Sequence, residues 1–96
     1  MNTMKINVIV NSEPWMGNDK NNNPYVAFHA VENSTESSPK AYWVIVYNEA
    51  TLNHVYLYLH KGDKVTLEGK LKSSDKPEQR FIMKSIGTDF LEKIYS

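Results

Sequence analysis

The chain has no cysteine, which excludes a disulfide framework, a thiolate zinc site and a cysteine nucleophile. It has no excess of either charge: 11 Lys and Arg face 11 Asp and Glu, a formal net charge of +0. A chain that held phosphates by diffuse positive charge would be basic, so any such affinity must come from local clusters. It also lacks a long apolar run. The opening MNTMKINVIV is too short and too polar at its edges for a secretion signal, and nothing approaches a membrane span. There is no glycine-rich phosphate loop and no serine in a nucleophile elbow. His29, His54 and His60 are widely spaced, with no cysteine or carboxylate completing a ligand pattern, so neither metal nor cofactor is expected. Glu32, Glu36, Asp75 and Glu78 lie in or beside polar loops and read as solvated. No catalytic constellation forms, and the chain is not expected to be an enzyme. The lack of thiols accords with a reducing cytoplasm.

What is present is a dense central block, Lys40 to Lys72, in three pieces. Lys40 to Asn48 is rich in aromatic and β-branched residues, which suit a pleated, half-buried surface. Period-two alternation separates Tyr42, Val44 and Val46 from Trp43, Ile45 and Tyr47. Either set could face inward. Val44 and Val46 are the better core fillers, so Trp43 and Tyr47 are expected outside, roughly 13 Å apart by strand rise.

Ala50 to His60 reads as a short helix with Leu52, Val55, Tyr56 and Leu59 on one stripe. Asn48 is placed to cap its start. His60 and Lys61 fall where terminal carbonyls favour cations, and Gly62 is placed to end the helix in the left-handed conformation. Asp63 to Lys72 alternates Val65, Leu67, Gly69 and Leu71 against Lys64, Thr66, Glu68, Lys70 and Lys72. Gly69 in mid-strand signals a bend or a close backbone approach.

The flanks supply the remaining elements. Lys5 to Asn11 is a strand with Ile6, Val8 and Val10 inward. Ser12 to Asn23 reads as a polar loop carrying Trp15 and Met16. Pro24 to Glu32 is a strand with Val26, Phe28 and Ala30 inward and Tyr25, Ala27, His29 and Val31 outward. Asn33 to Pro39 and Ser73 to Gln79 are polar loops. Arg80 to Ile86 is a last strand, apolar in part on both faces and therefore of open orientation. The tail, Asp89 to Tyr95, is too apolar to stay unpacked and is expected on the barrel or on a partner chain. The total is one all-β domain, residues 1–96, of five strands with one short helix between strands three and four. That order is the oligonucleotide/oligosaccharide-binding (OB) barrel.

The central block resembles the bacterial single-stranded DNA-binding (SSB) family. The likeness is carried by Trp43, by Tyr58-Leu59-His60-Lys61-Gly62 and by Glu68-Gly69-Lys70-Leu71. It covers about a third of the chain. The resemblance places Trp43 at a DNA-stacking position. Tyr47 lies one strand step before a second family aromatic and on its face, where this chain has Glu49. The family's long linker and acidic tip are missing after Ser96, so the resemblance points to the DNA-binding core alone, as in small phage, plasmid or mobile-element versions or in accessory replication proteins built on the same barrel.

Bases stack on flat side chains with little sequence preference. The expected interface is therefore Trp43, Tyr47, Tyr25, His29 and Trp15 for stacking. Lys64, Lys70, Lys72, Arg80 and Lys84 would neutralise phosphates. Each has a plainer reading: Tyr25 and His29 as surface residues, Trp15 as a loop anchor, the cations as a solvated face. The expected partner is single-stranded DNA in replication or recombination, bound by a homo-oligomer that uses Ile9, the tail and strand edges. The alternative is a small accessory subunit docking on a polymerase, primase or helicase through the same aromatic face. RNA would be distinguished by 2′-hydroxyl contacts.

Overall fold

Alternation of apolar and polar residues decides most of the strands. A computed structural model of the chain describes residues 3–72, 78–87 and 90. Strand β1 (Met4–Val10) buries Ile6, Val8 and Val10. After a short β2 (Trp15–Asn18), β3 (Pro24–Glu32) buries Val26, Phe28 and Ala30, and β4 (Ala41–Val46) buries Tyr42, Val44 and Val46. Helix α1 (Glu49–Tyr58) separates these from β5 (Lys64–Lys72) and β6 (Gln79–Ile86). Phe81 and Met83 of β6 are buried, which settles the orientation left open by the sequence.

The sheet runs β1-β5-β6-β4-β3, and β1 also pairs with β3, so five strands close into a barrel. All these neighbours are antiparallel except β4 and β6, which run parallel. The expected OB barrel, with its helix between the third and fourth barrel strands, is the observed fold. One strand was not expected. β2 lies in the segment read as loop and pairs antiparallel with Pro24–Ala27, on the same edge of β3 that β1 uses further along. Its side chains are mostly exposed on both faces, so they carry no alternation. The polar run behind it is the hairpin turn. The Asp19 carboxylate accepts from the Asn21 and Asn23 amides, both at 2.9 Å, and Asn22 takes the left-handed conformation (φ 64°).

Leu52, Val55 and Leu59 of α1 and its C-cap join the barrel core, and so does Phe90. Phe90 is the one described residue of the expected tail; the rest of it, and residues 73–77, lie outside the described residues. Asn48 caps α1 by accepting from the Ala50 amide at 3.0 Å. Tyr56 departs from the expected stripe and is exposed, together with Leu57 and Tyr58. The helix also ends earlier than the spacing suggests, at Tyr58, with no basic residue in its last turn. His60, Lys61 and Gly62 instead form the turn into β5. Gly62 (φ 97°) donates to the Val10 carbonyl at 2.7 Å, and Val10 donates to the Asp63 carbonyl at 2.8 Å, which pins the turn to the end of β1.

Glu13 clasps the same turn from the β1–β2 loop. Its carboxylate accepts from the Lys61 amide at 2.5 Å and from His60 Nδ1 at 3.1 Å. These two bonds, the Lys61 amide first, hold the Glu13 carboxyl below its ordinary 4.5. A carboxyl depressed in the folded state contributes stability above its unfolded pKa and loses it as pH falls through the folded one. The clasp is therefore complete at neutral pH and fails on the acid side of 4.5. Thermal unfolding midpoints measured across that boundary are expected to fall less steeply for Glu13→Gln than for the wild type. Superimposable acid limbs would rule the clasp out as a source of stability.

Candidate nucleic-acid interface

The outward residues of β3, β4 and β6 form one continuous face, and the strand register arranges it in three transverse rows. In the first row Tyr25 lies at the level of Tyr47, with ring centroids 6.1 Å apart, edge to face. In the second, Trp15, Ala27, Ile45, Ile82 and Lys70 follow one another across β2, β3, β4, β6 and β5. In the third, His29, Trp43, Arg80 and Lys72 do the same from β3 to β5. Ala27 and Ile45 point outward yet are buried, so they are the floor between larger side chains.

Local causes set the rings in place. Tyr25 lies across Gly17: a Cβ there would come within 2.9 Å of its hydroxyl oxygen, so the missing side chain makes room for the ring. Tyr47 follows the end of β4 and stays 41% exposed. Partial burial, with the Asp19 carboxylate close by, raises its hydroxyl pKa above the ordinary 10.0. Trp15 leans over His29, centroids 5.3 Å apart. The Arg80 guanidinium carbon stands 5.6 Å from the Trp43 ring centroid, within cation–π range. His29 Nδ1 meets Glu78 Oε2 at 2.6 Å. An ionised carboxylate only accepts, so the imidazole carries its hydrogen on Nδ1.

The structure thus brings eight of the ten anticipated residues onto or beside one face: Trp43, Tyr47, Tyr25, His29, Trp15, Lys70, Lys72 and Arg80. Lys64 is not among them. It sits opposite Ile9 of β1, beyond the stretch where β5 meets β6, because β6 pairs only with Leu67 to Lys72. Lys84 is the extra residue of an irregularity in the β5–β6 ladder, exposed, one step past the Val46–Met83 pair and toward the Tyr47 end.

Two members of the face were missed. Ile82 could not be assigned while the orientation of β6 was open. Glu78 read as a solvated loop carboxylate, but it is paired with a histidine 49 positions away, a contact that leaves no local trace in sequence. Among the described residues no cluster of His, Asp and Glu is arranged to hold a metal ion.

Flat rings at successive levels, an apolar floor and cations along one side can stack extended bases while meeting their phosphates. No protein-family model and no curated protein matches the sequence. Solved structures do match. The mitochondrial single-stranded DNA binding protein of S. cerevisiae is 23% identical, with a TM-score of 0.76 over 90% of this chain and 91% of that one. A small single-stranded DNA-binding protein from Streptomyces coelicolor is 20% identical, with a TM-score of 0.78 over 91% and 92%. The Plasmodium falciparum SSB, solved in complex with single-stranded DNA, is 18% identical, with a TM-score of 0.67 over 85% of each chain. At these identities the likeness establishes the shared fold.

Proposed function

We propose that this chain is an SSB-like protein that binds single-stranded DNA without strong sequence preference and serves replication or recombination in the cytoplasm. The observation that carries the reading is the three-row face, on which Tyr25, Tyr47, Trp43, His29 and Trp15 lie beside Lys70, Lys72 and Arg80. Stacking suits any base, because every base has a flat face. Three cations on a chain of formal net charge +0 neutralise few phosphates, so affinity is moderate and falls with salt at a log–log slope of about −2. The protein acts by binding, not by catalysis. It self-associates, and replication proteins are its natural partners.

Titration with oligo-dT, read by intrinsic tryptophan fluorescence at low and moderate salt, tests the reading. Strong quenching is expected, weaker at higher salt and largely lost in Trp43→Ala. No quenching and no affinity at low salt, from protein that is still folded, would remove single-stranded DNA as the ligand.

A further inference from the structure

Glu78, just ahead of β6, and Arg80, near the start of that strand, reach the third row of the face. Glu78 and Arg80, two residues apart, each cover one member of that row: the Glu78 carboxylate takes His29 Nδ1 at 2.6 Å, and the Arg80 guanidinium stands over Trp43. His29 and Trp43 are direct cross-strand partners, so the two contacts cover neighbouring positions. A carboxylate is the wrong charge for a surface that meets phosphates. It nonetheless has the shape of a phosphate's oxygens and accepts the same hydrogen. Both side chains of the pair keep about a third of their surface in solvent, 38% for His29 and 33% for Glu78, so a strand can reach them.

We propose that Glu78 is a built-in competitor for the DNA backbone. It occupies the His29 donor that a phosphate oxygen would otherwise use, and it holds affinity down. Binding a strand then requires the carboxylate to leave His29 and Arg80 to turn from Trp43, so that a base takes the ring and the guanidinium meets a phosphate. This rests on the proposed single-stranded DNA reading and adds to it a residue that opposes binding. It also bears on the chain's neutrality, since one of its acidic residues stands on the binding face itself.

The test is a double-mutant cycle on oligo-dT affinity with wild type, Glu78→Ala, His29→Ala and the double variant, each checked for folding by thermal melt. Glu78→Gln, which keeps the shape and an acceptor but not the charge, is measured alongside. Glu78→Ala is expected to bind about three- to ten-fold tighter, the scale of the one hydrogen bond that His29 would then give to a phosphate oxygen. Glu78→Gln should fall between it and the wild type. In the His29→Ala background the gain should vanish. Unchanged or weaker binding by Glu78→Ala would overturn the proposal while leaving DNA binding intact. So would a gain that survives the loss of His29, since the carboxylate would then act as a diffuse charge. If neither wild type nor Glu78→Ala binds at low salt, both readings fall together.

Discussion

Replacing Trp43 and Tyr47 together by alanine is expected to weaken oligo-dT binding by at least about 2 kcal/mol, roughly thirty-fold. Each stacking ring is worth about 1–3 kcal/mol on truncation. The two residues stand in different rows, roughly 13 Å apart along β4 by strand rise, and groups that far apart contribute nearly additively. Neither substitution removes a charge, so the affinity lost should be the same at every salt concentration and the log–log slope should not change. That separates stacking from phosphate neutralisation: Lys72→Ala, by contrast, should flatten the slope. The fold should survive, because both side chains point out of the barrel and Tyr47 is already exposed. A fully folded double variant that binds within two-fold of wild type would mean that these rings are not the platform. Isothermal titration, or anisotropy of a labelled oligonucleotide, measures the effect directly.

The face carrying those rings was legible because the choice lay between two complementary sets of residues. Once Val44 and Val46 were assigned to the core, Trp43 and Tyr47 had to point outward, and β3 follows the same rule with Phe28 inside and His29 outside. The same logic failed where alternation is absent. β2 is held by pairing and by the Asp19 turn, not by a buried face, so its strand character is written in the turn residues. Helix α1 misled for a related reason. Tyr56 continues an apolar spacing but falls outside the narrow contact with the barrel end, which three residues already fill. The cations show a different limit. Alternation places Lys64 on the same side of β5 as Lys70 and Lys72, and only the pairing partners reveal that this side passes from β6 to β1 along its length. His29–Glu78 and Glu13–Lys61 are contacts between distant segments, and a single sequence holds no term that couples them.

Gly69→Ala is expected to be the most damaging single methyl in the chain, costing about 3 kcal/mol or more in stability. For a domain of this size, that lowers the melting midpoint by roughly 12–24 °C. A Cβ at Gly69 would lie 2.1 Å from the Ile82 carbonyl oxygen and 2.9 Å from both the Ile82 carbonyl carbon and the Met83 Cα. These are backbone atoms of the neighbouring strand, so no rotamer change relieves the clash; β5 and β6 must move apart. The ladder shifts register at this point, between Glu68 and Gly69, and β6 spends Lys84 as an unpaired residue to make the shift. Gly62→Ala is the internal control. Its Cβ meets nothing within 4 Å, and only its left-handed backbone (φ 97°) opposes a side chain, a strain of about 1–2 kcal/mol. Urea melts of the two variants should therefore separate clearly, with Gly69→Ala the less stable, and equal losses would show that the strands can part at little cost. The function depends on the same contact. The close approach sets Lys70 opposite Ile82 and Lys72 opposite Arg80, so parting the strands moves the cations away from the rows of rings they flank. Gly69→Ala should accordingly bind oligo-dT more weakly even at temperatures where it remains folded, although the glycine itself abuts the β6 backbone and carries no side chain to the proposed interface.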